Sequence, residues 1–401
     1  MTQTSPTGTL PEIRLQPQRH QRLRMGHPWA YSNEIQMDNS AKALARGTLV
    51  RVMTSHGENL GTAFFNPHTL IALRMLERNP RLTVDAAWCA AKLRTALAVR
   101  ERLYPGGFYR LIHAEADGFP GLVIDRFGDT LVVQRNAAGI DRLWPELRQA
   151  IDAVLAPAAI VLRDESHARS LEGLDTASET LHGIVDGPVR LVENGATFFA
   201  DVAGGQKTGW FYDQRDNRAA VAKVAAGARV LDLYCYGGGF GVQAALGGAV
   251  QVVFADRAQA ALDLAAQAAE ANGVSAKCRF DKGEIFDYAA NLDAAGERFD
   301  VVVCDPPAFA KSRKDVPMAL KGYRKVARLA AALVAPNGFL LAASCSHNVE
   351  TANFLEETAR GIAETGRQAR VLRLAGAASD HPLHPFLPES AYLKALLIAL
   401  D

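Results

Sequence analysis

From Val189 to the C-terminus the chain repeats one pattern. ARVLDLYCY reads as a strand and GVQAALGGA opens a helix. QVVFADR is a strand, followed by the helical stretch AQAALDLAAQAAEANG, which Asn-Gly ends. FDVVVCDPP is a strand, the segment from about Tyr323 to Val334 a helix, and GFLLAASCS a strand. Short apolar, β-branched runs alternating with stretches of helical period predict a doubly wound, parallel α/β sheet. That topology also says where chemistry belongs, because ligands sit beyond the carboxyl ends of the strands. Asp232, Asp256, Asp305 and Cys345 each fall at or just past such an end. Four polar groups are therefore expected on one rim.

At 401 residues the chain is too long for one ordinary domain. Residues 1–10 are polar and read as a loose tail. Residues 11–78 hold short β-like runs between Gly, Asn and Pro, such as GTLVRVMTSHG, and predict a small β-barrel or sheet. Residues 79–188 read as a mixed α/β piece. It contains a helix over DAAWCAAKLRTALAVRERLYP, closed by Pro105-Gly106-Gly107, and strand-like runs before and after a second helix near 140–155. The sheet domain takes residues 189–401.

Charge and cysteine usage exclude several classes. A formal net charge of +1 gives the molecule no general field for nucleic acid, so any such site must be a local patch. The five cysteines show no CxxC spacing, which predicts a reducing compartment and neither a disulfide framework nor a metal site. MTQTSPTGTLPE has no apolar core and no run is long enough to span a bilayer, so a cytoplasmic chain without membrane contact is expected.

DLYCYGGGFG (232–241) follows a strand and opens a helix, a place where glycines let a ligand approach the backbone. NAD, FAD and S-adenosylmethionine all use such loops. Asp256, 24 residues after Asp232, lies at the distance expected of a ribose partner. Asp232 would repel a pyrophosphate but suits the ammonium of a methionine moiety, and G-G-G-x-G is not the dinucleotide register. Glu284-Ile285 could offer an adenine partner and an apolar face. In Cys304-Asp305-Pro306-Pro307-Ala308-Phe309 two prolines fix the backbone and remove amide donors. The carbonyls and carboxylate left there suit a planar base with an exocyclic amine, and Phe309 can pack beside it. A rigid strand-to-helix turn is the plainer reading. Cys345, between two serines at the end of the neighbouring strand, is the candidate nucleophile, whereas Cys304, in a fully apolar run, reads as core.

GQKTGWFYDQRDNR (205–218), VLDLYCYGGGFGVQAA, CDPPAFAKS, SCSHNV and DHPLHPFLPESAYLKALLI (380–398), in this order, resemble the bacterial large-subunit rRNA cytosine-C5 methyltransferases of the RlmI and RlmO type. RMGHPWAYSNEI (24–35) resembles their PUA-like RNA-binding domain, and AEADGFPGLVIDRFGD (114–129) their central domain. The resemblance implies a Rossmann-like class I methyltransferase domain, S-adenosylmethionine as cofactor and large-subunit rRNA as partner, and it admits a homodimer. Carried onto matching positions, it puts Lys207, Asp213, Gln214 and Arg215 in the wall of the cofactor pocket. Asp232, Tyr234, Gly237 and Gly239 fall in the cofactor loop, and Asp256 with Arg257 near the ribose. Glu284 stands where the family has Asp, with Ile285 beside it. Asp305, Pro306, Phe309 and Lys311 meet the target base, and Cys345 is the nucleophile. Cys235 and His347 depart from the pattern, and Ala308 stands where the larger class of RNA cytosine-C5 methyltransferases often has a second cysteine.

Arg14, Arg19, Arg22 and Arg24 lie in a window with no acid between Glu12 and Glu34, interleaved with His20, His27, Trp29 and Tyr31. Basic and aromatic residues together suit phosphate contact and base stacking. A solvated arginine-rich edge has the same composition. Two rival functions share these motifs: an RNA N-methyltransferase in which Cys345 is structural, and a non-catalytic RNA-binding or assembly factor.

Overall fold

The computed structural model describes residues 10–401, so the tail expected over 1–10 lies, but for Leu10, outside the described residues. Two units emerge: one runs to Asp186 and includes Pro382–Ser390, the other comprises Gly187–His381 and Ala391–Asp401.

The first unit holds two five-stranded sheets. One contains β1 (Glu12–Arg14), β2 (Trp29–Tyr31), β3 (Thr48–Met53), β4 (Asn59–Phe65) and β5 (Ile71–Glu77), in the order β1-β3-β4-β5-β2, with the short helices α1 (Gln21–Met25) and α2 (Asn39–Ala43). The chain just past its two edge strands closes the ring. Leu15 bridges Ile35, Gln16 N–H donates to Glu34 O at 2.8 Å, and Gln36 N–H donates to Arg14 O at 2.8 Å. Closure removes open edges around a core of Ile13, Leu15, Val50, Val52, Phe65 and Leu73. The expected arginine-rich edge is instead largely helix α1 and the turn before it.

The other sheet is β10-β9-β8-β7-β6, formed by β6 (Phe108–His113), β7 (Leu122–Phe127), β8 (Thr130–Arg135), β9 (Ala159–Asp164) and β10 (Ala177–His182). Helices α3 (Ala86–Leu103) and α4 (Ala138–Leu155) share a core with it through Leu93, Ile140 and Leu147, and α5 (His167–Glu172) follows β9. Asp85 caps α3 by accepting from Trp88 N–H at 2.8 Å. β10 carries no apolar alternation, being a mostly exposed edge strand, and the sequence pattern misses it for that reason.

The second unit begins with a hairpin, β11 (Val189–Glu193) and β12 (Ala196–Ala200), where the regular alternation was expected to start. Then follow α6 (Arg215–Ala222), β13 (Arg229–Leu233), α7 (Gly239–Leu246), β14 (Gln251–Asp256), α8 (Gln259–Ala271), β15 (Cys278–Lys282), α9 (Ile285–Ala294), β16 (Phe299–Cys304), α10 (Val316–Leu333), β17 (Val334–Ser344), α11 (Thr351–Ala363), β18 (Ala369–Ala375) and β19 (Lys394–Leu400). They form a seven-stranded sheet, β15-β14-β13-β16-β17-β19-β18. β13 to β17 are parallel, as expected, but β19 runs antiparallel to both neighbours. Two-sided burial of Val301, Val302, Val303, Leu396 and Ile398 explains their unbroken apolar runs. The strand order reverses at β13, which puts the glycine loop at the topological switch point.

Candidate active site on the sheet rim

The loop after β13 is braced from below and from the side. Asp232 is fully buried and accepts from Gly241 N–H at 2.9 Å, which ties the strand end to the start of α7. Burial, with the Asp305 carboxylate also opposing ionisation, raises its pKa to about 7. Its other oxygen, Oδ1, is buried with no hydrogen-bond partner, a costly arrangement unless a ligand completes it. Asp256 accepts from Tyr236 N–H at 3.1 Å and Ala258 N–H at 2.9 Å, so it clamps the loop to β14 as well as lying where a ribose partner was expected. Tyr234 and Tyr236 hold left-handed φ of 61° and 47°, strain that persists only where the surroundings enforce it. Gly237 lies in the turn between them and α7. A Cβ on Gly239 would meet Arg218 Nε at 2.4 Å, and one on Gly241 would meet Phe254 at 2.2 Å. Gly239 is thus a packing glycine rather than an open cradle. Gly241 supplies a close contact between α7 and Phe254 of β14.

At the other half of the rim, β16 and β17 run in register, Cys304 opposite Ala342. Asp305 follows β16 and Cys345 follows β17. The two loops are joined: Ala310 N–H donates to Ser346 Oγ at 3.2 Å, and Tyr323 OH on α10 hydrogen-bonds the same oxygen at 2.7 Å. Ser344 and Ser346 are fully buried, whereas Cys345 between them is partly open. The serines are staples of the turn, not part of an exposed polar cluster. Gln214 Nε2 donates to Asp305 Oδ2 at 2.9 Å. Burial and the neighbouring Asp213 raise the Asp305 pKa to about 7, against the pull of Arg218. Burial pushes the Cys345 thiol up, Lys207 draws it down, and Asp305 and Asp213 oppose ionisation. Cys304 and Cys235 are more deeply enclosed, and burial pushes both thiols up.

Other expected positions separate into exposed and buried sets. Lys207, Arg257, Glu284 and Lys311 are exposed. Asp213, Gln214 and Arg215 are buried and act from behind the rim: Tyr392 OH donates to Asp213, and Arg215 lies near Glu193 and Asp380. Ile285 does not offer an apolar face, because it is 3% exposed within the sheet core. Pro306 is buried, and Phe309 packs on Tyr323 with ring centroids 4.7 Å apart, so the aromatic cluster already uses much of that ring. Lys394 was not expected at all. It is buried on β19 opposite Ser344 and donates to Ser346 O at 2.7 Å and Tyr392 O at 2.8 Å.

The family model for S-adenosylmethionine-dependent methyltransferases matches residues 147–399, and a PUA-like domain model matches residues 13–78. The chain belongs to this methyltransferase family. It is 37% identical to a ribosomal RNA large subunit methyltransferase I from Aeromonas hydrophila over 95% of this chain and 97% of that protein. It is 36% identical to one from Photobacterium profundum over 94% and 96%. A proposed methyltransferase crystallised with SAH superposes with a TM-score of 0.83 at 22% identity, covering 97% of this chain and 100% of that one. A tRNA m1G37 methyltransferase from M. jannaschii superposes at 0.52 with 15% identity, over 78% and 79%, so the fold does not by itself fix which atom is methylated. The methyltransferase cofactor fits the residues present, since the unpartnered buried oxygen of Asp232 is a suitable acceptor for a cationic amino group. Among the described residues no cluster of His, Cys, Asp and Glu could hold a metal ion, and no helix is long and apolar enough to cross a membrane.

The basic window belongs to the first unit. Arg24 pairs with Glu58, and Arg22 donates to Trp29 O at 3.3 Å, lies 3.8 Å from Glu34 and stacks over Tyr31. The fold thus brings acids to arginines that are far from them in sequence. Arg19 is exposed and has no ion-pair partner among the described residues.

Proposed function

We propose that this methyltransferase modifies C5 of a cytosine in large-subunit rRNA, through a covalent bond between Cys345 and C6 of the base. The observation that carries the reading is the stapled pair of loops: a partly open thiol at the end of β17 beside a carboxyl at the end of β16. An exocyclic nitrogen needs only the Asp305 side of this arrangement. A C5 carbon needs the thiol too, because C5 becomes nucleophilic only after addition at C6. The names of the full-length relatives support rRNA as the substrate class.

S-adenosylmethionine, held by Asp232, Asp256 and the glycine loop, supplies an electrophilic methyl group. The chain's residues do the rest. Asp305, with the adjoining Pro306 carbonyl, holds the amino edge or N3 of a base that has left its stack. The Cys345 thiolate adds to C6, which gives C5 enamine character. Once C5 carries the methyl group, with S-adenosylhomocysteine as the leaving group, a base takes the C5 proton, the C5–C6 double bond re-forms and Cys345 leaves as the thiolate. The domain limits 11–78, 79–188 and 189–401 fit this division of labour, with the first piece docking RNA and the last carrying chemistry.

Cys345→Ala should abolish methyl transfer while S-adenosylmethionine binding and folding persist, since one small residue replaces another. RNA carrying 5-azacytosine at the target should stay attached to the wild type, because that ring has no C5 proton to release, and Cys304→Ala should still trap it. A Cys345→Ala enzyme that produces 5-methylcytosine, or an adduct mapped to Cys304 or Cys235, overturns Cys345 as the nucleophile, and a wild-type product methylated on nitrogen overturns the C5 reading in favour of N-methylation.

A further inference from the structure

Lys394 is a buried cation, 3% exposed, and no carboxylate lies within ion-pair distance of it among the described residues. Its two hydrogen bonds go to backbone carbonyls, one on each side of the site: Ser346 O immediately after the thiol, and Tyr392 O at the foot of β19. Burying a charge without a counter-charge is expensive, and folds keep such groups mainly where they work. We propose that Lys394 is the positioning residue of the Cys345 nucleophile, its ammonium fixing the carbonyl after the thiol and supplying the enclosed positive field in which the thiolate forms.

The surroundings of Cys345 call for such a field. Asp305 after β16 and Asp213 before α6 both oppose ionisation of the thiol, and Tyr323 of α10 and His347 and Tyr392 stand close by. Lys207 is the counter-charge on the open side, but it is exposed, and water and salt weaken its effect. Lys394 is screened far less. Burial draws its pKa down to about 8, and the Cys345 thiolate draws it back up. Coupling of this kind is reciprocal: a thiolate that helps the lysine keep its proton is stabilised by the ammonium to the same extent. At neutral pH the lysine is still protonated, so the fraction of Cys345 that ionises there does so beside a cation.

This inference rests on Cys345 being the nucleophile, and its test reads the thiol without requiring that it be so. Lys394→Gln keeps an N–H donor for the carbonyls and removes the charge. In the full-length protein, alkylation of Cys345 by iodoacetamide, followed by peptide mass spectrometry, should be slower than in wild type at pH 7, where Lys394 carries its proton, by about tenfold for each unit by which the ammonium lowers the thiol pKa. The two rates should converge at a pH where the wild-type lysine is neutral. Single-turnover methyl transfer should show the same pH-dependent loss, with S-adenosylmethionine affinity unchanged. A folded Lys394→Gln protein alkylated at the wild-type rate at pH 7 overturns the proposal and leaves Lys394 a strand-to-turn tie. Should that variant not fold, NMR titration of the Lys394 side chain decides. Its midpoint should fall in Cys345→Ala relative to wild type, and an unchanged midpoint overturns the coupling. Persistent 5-methylcytosine formation by Cys345→Ala would instead remove the nucleophile assignment, whatever the lysine does.

Discussion

The two halves of the rim are built differently. At the glycine loop, the chain's acids serve short-range architecture: Asp232 holds Gly241 nine residues on, and Asp256 holds Ala258 and the loop of the preceding strand. At the cysteine end, the contacts come from far away in sequence. Gln214 reaches Asp305, Tyr323 reaches Ser346, and Lys394 reaches the Ser346 carbonyl. The glycine-loop half can thus be assembled by a local strand–loop–helix unit, whereas the cysteine half, the proposed acceptor side, exists only when α6, α10 and β19 have docked. Substitutions at the two halves should therefore fail in different measurements.

The largest separation is expected at Asp305. Asp305→Asn keeps the shape, turns one acceptor into a donor and disturbs the Gln214 contact. Methyl transfer should fall on the order of a hundredfold, the usual consequence of losing one oriented polar contact to a reacting group. S-adenosylmethionine affinity, read by calorimetry, should change much less. Equal losses in both would move Asp305 into the cofactor half and erase the contrast.

Asp256→Ala probes the other half. The loop loses the acceptor for Tyr236 N–H, and under the proposed assignment the ribose loses a charged partner worth about 1.5–3 kcal/mol. Cofactor affinity should drop roughly ten- to a hundredfold, with transfer at saturating cofactor largely restored. Unchanged affinity would leave Asp256 as a loop clamp alone.

This contrast also explains what the sequence made legible. The parallel core, the strand-end acids and the cysteine were readable because each announces itself within about ten residues of apolar run and turn. The hairpin β11–β12, the polar edge β10 and the antiparallel β19 were not, since pairing partners and strand direction are tertiary choices that leave little local mark. Lys394 was hidden for the same reason: a single lysine in YLKALLI looks like a solvated residue until β19 pairs with β17. Ile285 erred in the opposite sense, because apolar character alone does not tell a ligand face from a core. The arginine window looked free of acids along the chain, but folding brought Glu58 and Glu34 to it.

The two raised carboxyls predict a pH effect on the ligand-free protein. Asp232 and Asp305 have folded values near 7 against an ordinary 3.8, so between those limits the folded chain holds protons that the unfolded chain has released. Stability must then fall as pH rises through that window. Thermal melts should show this slope, and Asp232→Asn should flatten it. An identical slope in the variant would mean that Asp232 ionises normally and that its unpartnered oxygen carries no cost.

The smallest effect should come from outside the rim. Exposed Arg19 has no ion-pair partner among the described residues, whereas Arg24 already faces Glu58 and Arg22 is held by Trp29 O and Tyr31. Arg19→Ala should therefore account for most of the loss of RNA affinity seen when Arg19, Arg22 and Arg24 are all replaced. A single lost phosphate contact flattens the dependence of log affinity on log salt by about 0.7–0.9, and methylation should weaken only at limiting RNA. Cofactor affinity and the 5-azacytosine adduct at saturating RNA should stay as in wild type, because neither half of the rim has been touched. If Arg24→Ala proved the more damaging single change, the Glu58 pair would have to open on RNA binding. If none of the three mattered, the window would be surface, and RNA recognition would fall to the rim and to the rest of the first unit.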